Sequence, residues 1–252
     1  MKIYKILAFS SLLATLLSSS PLFAAEVRIA VAANFTGVSR KIAWLFEKTT
    51  GYSTRISYGS TGELFAQIEN GAPFDVFLAA DTQRPIKAEN EGLAVPGSRF
   101  IYARGKLVLW SAKRDAFGDG ESYLQKSAFR HIAIANPKTA PYGLAAQQVM
   151  EHLGIWKVMQ SRLVRGESIA QTFQFVATGN AEAGLVAWSQ VRAWKRDPGT
   201  IWIIPAKDYA PIEQAAVLLK RGKDNPAAQA YLRFLRSATA RKLIKDAGYA
   251  VK

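Results

Sequence analysis

The sequence predicts an α/β fold made of two doubly wound lobes that are joined by two crossover strands. Short apolar strands alternate with amphipathic helices in the first part of the chain, and the same alternation restarts near residue 121. Between these two units, and again after Pro205, the sequence departs from this alternation of strands and helices. Two crossings, near residues 102–106 and 205–211, would therefore connect the lobes.

The first unit opens with the apolar strand Val27–Ala33, which lacks a polar face, as strands of parallel sheets do. Helical spacing of apolar residues predicts a helix that ends before Gly51. We expect the remaining elements to be a strand at 52–58, a helix at 62–70, a buried strand at 75–80 and a helix from 81 to 92.

The second unit follows a strand at 107–110. We expect helices near 121–129, 141–153, 156–163 and 168–179, with strands at 131–135, 184–188 and 201–204. A last strand at 215–220 and helices at 226–236 and 238–246 are predicted to return to the first unit. Lobe 1 would then comprise residues 26–104 and 210–252, and lobe 2 residues 105–209.

Residues 1–25 have the pattern of a cleavable signal peptide. Lys2 and Lys5 give a basic start, Ile6–Leu17 is a short apolar stretch, and small residues suit cleavage after Ala24 or Ala25. The apolar stretch is short for a membrane span, and a retained anchor is the alternative. We therefore expect an exported chain.

The composition argues against several kinds of chemistry. The 252 residues include no cysteine and two histidines, His131 and His152, so disulfides and thiolate metal sites are absent. The histidines lack the spacing of a metal-dependent hydrolase. The formal charge of +14 is dispersed, which favours attraction of small anions, and no nucleic-acid partner is expected.

Candidate binding residues lie where strand ends lead into helix starts, which is where open α/β sheets bind ligands. These junctions are Ala33-Asn34, Gly59–Gly62, Asp81, Thr139–Gly143, Glu167–Ile169 and Ala187–Ser189. Most are neutral and rich in hydroxyl, amide or N–H donors, which is typical of an anion site. Asn34, Ser60, Thr61 and Ser168 are also common helix caps, and Tyr142 could simply pack, so the residues alone leave capping and anion binding open.

Catalysis is not expected from these junctions. Ser60 and Ser168 have no convincing histidine partner, and the chain contains no G-x-S-x-G elbow. Asp75 and Asp81 are interpreted as local hydrogen-bonding residues. An exported serine hydrolase that uses Ser60 is the distant alternative.

Five segments occur in a characteristic order along the chain. They are Ala32-Ala33-Asn34-Phe35, Gly59-Ser60-Thr61-Gly62, the run 70–81, Asn136-Pro137 with Pro141-Tyr142-Gly143, and Gly248-Tyr249-Ala250-Val251. Together they make the mature chain resemble the molybdate-binding periplasmic proteins of ABC importers, within the type II periplasmic binding protein superfamily.

The resemblance implies a type II periplasmic binding protein fold and a periplasmic receptor that delivers molybdate or tungstate to a membrane permease. Its motifs imply contacts from Asn34, Ser60, Thr61 and Tyr142, and from the backbone N–H of Ile169. Further candidates are Ala33, Ser168 and Ala187, the last at a position where some members have tyrosine. A monomer without a cofactor is expected, with the anion held through its oxygens and with no direct metal ligands.

Receptors for sulfate, thiosulfate or phosphate remain alternatives, as does a sensor or scaffold that binds the anion without a permease. Neutral donors leave discrimination to the size of the cavity, so molybdate and tungstate should bind alike and the smaller sulfate poorly. Protonated phosphate would bring a hydrogen-bond donor that a site made of donors cannot accept.

Overall fold

The computed structural model describes residues 25–127 and 129–251. They form two α/β lobes, each built on a five-stranded mixed sheet, which confirms the predicted fold class. The predicted signal peptide, residues 1–25, lies outside the described residues except for Ala25. No helix within the described ranges is both long and apolar enough to span a bilayer.

Strands and helices alternate through most of the chain. The strands are β1 (Glu26–Ala32), β2 (Ser53–Gly59), β3 (Val76–Leu78), β4 (Phe100–Gly105), β5 (Leu107–Ser111), β6 (Ile132–Ala135), β7 (Leu163–Gly166), β8 (Ala183–Ala187), β9 (Thr200–Ile203) and β10 (Ile212–Leu218). The α-helices are α1 (Thr36–Thr50), α2 (Thr61–Glu69), α3 (Gln83–Asn90), α4 (Gly120–Lys126), α5 (Pro141–His152), α6 (Trp156–Met159), α7 (Ile169–Ala177), α8 (Trp188–Ala193), α9 (Pro226–Leu235) and α10 (Ala238–Asp246). Within the described ranges, three short 3-10 helices complete the set at Ala33–Phe35, Gln160–Arg162 and Lys220–Gly222.

The first sheet has the strand order β2-β1-β3-β10-β4. Strands β2 and β3 pair parallel with β1, while β10 runs antiparallel to both β3 and β4. Because β10 comes from the end of the chain, the C-terminal elements return to the first lobe, as predicted.

The second sheet has the order β7-β6-β8-β5-β9. Strands β7 and β8 pair parallel with β6, and β5 runs antiparallel to β8 and β9. The chain passes between the sheets twice, from β4 into β5 and from β9 into β10. The two predicted crossings are therefore present, and the lobe boundaries at 104/105 and 209/210 stay predictions.

Both sheets are covered on two faces because alternate side chains of a strand point to opposite sides. In β1, Ile29 and Val31 pack in one apolar cluster while Ala30 packs in another. In β5, Leu107 and Leu109 contribute to a different cluster from Val108 and Trp110. This double burial explains the continuous apolar strands of the sequence.

The prediction was wrong between residues 156 and 166. A single helix at 156–163 followed by a loop was expected, whereas α6 ends at Met159 and the chain forms the edge strand β7. The reason is that β7 is only four residues long and pairs on one side alone, with β6. Such a segment is too short for a twofold hydrophobic period to be recognised.

Candidate oxyanion-binding site

A cavity lies between the lobes, where loops from both sheets meet. It contains about 200 Å³ of space free of protein atoms, counted together with the solvent at its mouth. The residues that line it are all uncharged: Ala32, Ala33, Asn34, Ser60, Thr61, Ala80, Ala140, Pro141, Tyr142 and Ile169. The structure thus brings together the five residues favoured from the sequence, with Ala33 beside them.

The lobe 1 residues reach the cavity because β1 and β2 are parallel and in register. Ala32 pairs with Gly59 at the carboxyl ends of these strands, so the next residues of both strands leave the sheet at one edge. There Asn34 lies in a 3-10 helix and Thr61 begins α2. The first N–H groups of a helix lack partners within the helix, so the turn at Asn34 can offer main-chain donors. At the start of α2 most of these N–H groups already donate to other groups of the protein.

The two hydroxyls of lobe 1 each accept a hydrogen bond from the protein backbone. Ser60 Oγ accepts from the N–H of Glu63 at 3.4 Å, and the Glu63 carboxylate accepts from the N–H of Ser60 at 3.3 Å, which is a capping box. Thr61 Oγ1 accepts from the N–H of Ala80 at 3.0 Å. Each hydroxyl therefore keeps its own proton for another acceptor.

The lobe 2 residues are positioned by the same parallel geometry. Ala135 of β6 pairs with Gly166 of β7, so the loops that follow these strands emerge side by side. Tyr142 lies in the first turn of α5 behind Pro141, and Ile169 is the first residue of α7. Proline suits a helix start because its missing N–H would have no partner there, while the N–H of Ile169 has no partner within α7.

Tyr142 is 1% exposed, and its hydroxyl is held by the crossover strands. Gln214 of β10 donates its Nε2–H to the hydroxyl oxygen at 3.3 Å. Gly105 of β4 leaves the space for this hydroxyl, since a Cβ at residue 105 would lie 2.0 Å from it. Burial, with a smaller effect from neighbouring phenols such as Tyr249, raises the pKa of Tyr142 well above its ordinary value of 10.0, so the hydroxyl stays protonated.

Ser168 and Ala187 are placed near the site but do not line the cavity. Ser168 Oγ caps α7 by accepting from the N–H of Gln171 at 3.3 Å. The N–H of Ala187 donates to Gln190 Oε1 at 3.2 Å, and Gln190 Nε2 donates to the carbonyl of Ile169 at 3.0 Å. Through Gln190, the Ala187 turn supports the helix start that carries Ile169.

Charged side chains lie outside the cavity, in an adjoining groove that shares Ala80, Ala140 and Pro141 with it. That groove is lined by Asp81, Arg84 and Lys138 among others, and Arg84 forms an ion pair with Asp81. Among the described residues, no three His, Cys, Asp or Glu side chains are grouped so that they could hold a metal ion.

A buried polar network behind the cavity was not predicted from the sequence. Gln214 Oε1 accepts from Asn34 Nδ2 at 2.9 Å and from the Tyr102 hydroxyl at 3.0 Å. The Tyr249 hydroxyl accepts from Asn34 Nδ2 at 3.0 Å and contacts Ser189 Oγ at 2.8 Å. These residues are distant in sequence. Asn34 and Tyr249 belong to recognised motifs, whereas Gln214 and Tyr102 do not.

Comparisons with known proteins place the chain in a family. The model of the family described as bacterial extracellular solute-binding protein matches residues 27–250. The molybdate-binding protein ModA of Azotobacter vinelandii is 55% identical over 91% of both chains, and ModA of Rhodobacter capsulatus is 48% identical over 92% of this chain and 91% of its own.

A solved structure has the same fold. The Azotobacter vinelandii periplasmic molybdate-binding protein superposes with a TM-score of 0.86 at 42% sequence identity, covering 90% of this chain and 99% of its own. The chain therefore belongs to the bacterial extracellular solute-binding protein family, and within it groups with the ModA proteins. These relatives are binding proteins rather than enzymes.

Proposed function

We propose that this chain captures molybdate, and equally tungstate, in the cavity between its lobes and delivers the anion to the permease of an ABC importer. We further propose that it does so in the periplasm, as a monomer, after removal of its signal peptide. The relatives named above support the ligand, and membership of the extracellular solute-binding protein family fits a receptor that hands its ligand on.

One observation carries the assignment of an oxyanion. Three hydroxyls at the cavity, those of Ser60, Thr61 and Tyr142, each accept an N–H from the protein. Because a hydroxyl has one proton, each can donate it to a ligand. With the backbone N–H groups of Asn34 and Ile169, we propose five donors that converge on one anion, with Ala33 as a further candidate.

The absence of charged groups among the lining residues fits a fully deprotonated oxyanion. Hydrogen bonds to a charged acceptor contribute about 1.5–3 kcal/mol each, so five of them can offset the desolvation of a dianion and leave an affinity of roughly micromolar or better. Tetrahedral anions of different size meet the same donors, and the dimensions of the cavity then decide between them.

Calorimetric titration of the purified mature protein with molybdate, tungstate, sulfate, thiosulfate and phosphate tests the proposal. We expect similar tight binding of molybdate and tungstate, and binding of sulfate weaker by at least about a hundredfold, or roughly 2.7 kcal/mol. Tight sulfate or phosphate binding with none of molybdate would contradict the assignment and favour a related receptor.

The same preparation tests the hydrolase alternative. Ser60 Oγ is engaged with the α2 backbone, and His152 faces Asp208 at 3.4 Å. A binding protein should show no turnover of ester or amide substrates, whereas a serine hydrolase should show turnover that is lost in Ser60→Ala.

A further inference from the structure

Gln214 links the two lobes at the back of the proposed anion site. It lies on the crossover strand β10, is fully buried, and occupies the position where the pairing of β10 with β4 shifts register. Such irregularities in strand pairing change the direction in which side chains project from the sheet. Its amide contacts Asn34 of lobe 1 through Oε1 and Tyr142 of lobe 2 through Nε2.

The number of available protons determines which groups of this network donate a hydrogen bond and which accept one. The Tyr249 hydroxyl lies 2.8 Å from both the carbonyl oxygen of Asn34 and Ser189 Oγ, and Ser189 Oγ itself donates to that carbonyl at 3.2 Å. The single Tyr249 proton is therefore committed to one of these two acceptors. Toward the Asn34 side chain, Tyr249 can therefore only accept. Asn34 must present Nδ2 to it, and this leaves the buried Asn34 Oδ1 without a partner among the described residues.

The same orientation passes through Gln214 to Tyr142. Because Asn34 Nδ2 also faces Gln214, the glutamine must present Oε1 to Asn34 and Nε2 to Tyr142. Tyr142 then accepts, and its proton remains for the ligand. A reversed Gln214 amide would accept the Tyr142 proton and remove one donor from the cavity.

We propose that Gln214 is a positioning residue that sets the hydrogen-bonding polarity of the anion site. It makes the Tyr142 hydroxyl an acceptor toward the protein and hence a donor toward the anion. This inference rests on the proposed function, since it assigns Gln214 a part in binding the same anion.

A double-mutant cycle with molybdate as the probe tests the proposal. Gln214→Met keeps the length of the side chain and removes both polar atoms, and we expect it to weaken molybdate binding about three- to tenfold. In a Tyr142→Phe background the same substitution should have almost no effect, because the hydroxyl that it orients is absent. Additive losses within about a factor of two would overturn the proposal and leave Gln214 a structural residue.

A second variant gives a readout in pH. In Gln214→Glu, the ionised carboxylate accepts the Tyr142 proton, so we expect molybdate affinity to fall at least about a hundredfold at pH 8. Burial raises the pKa of a carboxyl group, and its protonated form can donate again, so affinity should recover partly toward pH 6 while the unmodified protein shows no such recovery. A loss that is the same at both pH values would mean that the carboxyl group keeps one protonation state between them, and the double-mutant cycle then decides.

Controls separate this inference from the function on which it rests. Gln148 accepts from the N–H of Ala210 at 3.0 Å and, among the described residues, forms no hydrogen bond with Asn34 or Tyr142, so Gln148→Met should bind molybdate normally. If the unmodified protein binds no molybdate, the proposed function fails; if it binds but the cycle is additive, only the role of Gln214 fails. Thermal melts without ligand show whether each variant folds. If Gln214→Glu does not fold, the double-mutant cycle alone tests the role of Gln214.

Discussion

The backbone N–H of Gly62 in lobe 1 donates to the carbonyl oxygen of Thr139 in lobe 2 at 2.8 Å. Gly62 allows this contact because it has no side chain: a Cβ at this position would lie 2.9 Å from Thr139 Cα and 3.0 Å from its carbonyl oxygen. The helix start that presents Ser60 and Thr61 is therefore also a point where the two lobes meet.

We predict that Gly62→Ala weakens molybdate binding about tenfold or more, because the added methyl group holds the lobes apart and separates donors that must converge. Calorimetry measures the loss, and small-angle scattering with molybdate should show a larger radius of gyration than for the unmodified protein. The matched control is Gly37→Ala on α1, where a Cβ would meet nothing within 4 Å. Unchanged affinity in Gly62→Ala would mean that closure does not depend on this contact.

Removing single donors should lower affinity by amounts typical of charge-assisted hydrogen bonds. We predict that Tyr142→Phe and Thr61→Ala each cost about 1–3 kcal/mol of molybdate binding free energy. Thr61→Ala should also lower the melting temperature, because the N–H of Ala80 loses its acceptor. If both variants bind as tightly as the unmodified protein, these side chains only cap and pack.

A third prediction concerns the space in which the Tyr142 hydroxyl lies. A Cβ at residue 105 would be 2.0 Å from that hydroxyl and 2.9 Å from Gln214 Nε2. We expect Gly105→Ala to lower molybdate affinity at least as much as Tyr142→Phe does, and to lower stability by about 1–3 kcal/mol through overpacking.

The double variant Gly105→Ala with Tyr142→Phe identifies the cause. Loss of the hydroxyl relieves the shortest contact, so stability should recover in part while affinity stays low. Gly118→Ala is the control, because a Cβ there would meet nothing within 4 Å. No recovery of stability in the double variant would show that the strain lies elsewhere.

The sequence was sufficient to predict the cavity residues that belong to local motifs. Gly59–Gly62 and Pro141-Tyr142-Gly143 lie at strand-to-helix junctions, where spacing and composition alone indicate donors. It was not sufficient for Gln214 or Gly105, whose roles depend on pairing between strands more than a hundred residues apart. Nor did it indicate β7, because a four-residue edge strand carries little periodicity.

The sequence also could not decide whether Ser60 and Thr61 cap a helix or face a ligand. The structure shows that Ser60 caps α2 and that Thr61 accepts from Ala80. Since capping uses the lone pairs of a hydroxyl and leaves its proton, the two roles are compatible. That distinction concerns the direction of a hydrogen bond, which no residue pattern specifies.

Tyr231 offers a test of stability away from the site. Its side chain is fully buried in the core of lobe 1, and its hydroxyl has no hydrogen-bond partner among the described residues. We predict that Tyr231→Phe raises the free energy of unfolding by about 1 kcal/mol, because a desolvated polar group is removed. Urea denaturation at pH 7 measures this change in the free energy of unfolding. Molybdate affinity should be unchanged in Tyr231→Phe, which makes this variant a control for the loss of a buried hydroxyl in Tyr142→Phe. A destabilised variant would indicate that the hydroxyl has a partner such as ordered water.

The buried phenols also predict how stability depends on alkaline pH. Burial raises the pKa of Tyr102, Tyr142, Tyr231 and Tyr249 in the folded chain, whereas in the unfolded chain a tyrosine titrates near about pH 10. Below that pH the phenols are protonated in both the folded and the unfolded chain, so they do not change how the free energy of unfolding depends on pH. Above it the unfolded chain loses protons that the folded chain retains, so the free energy of unfolding should fall as pH rises.

The variant Tyr231→Phe isolates one of these groups. A single phenol that titrates only in the unfolded state contributes a slope of about 1.4 kcal/mol per pH unit. We therefore expect urea titrations at pH 8, 10 and 11 to show equal pH dependence for both proteins up to about pH 10 and a shallower fall for Tyr231→Phe above it. All other ionisable groups are the same in both proteins, so their effects cancel in the difference. Identical slopes above that pH would mean that the Tyr231 phenol ionises in the folded chain as readily as in the unfolded one.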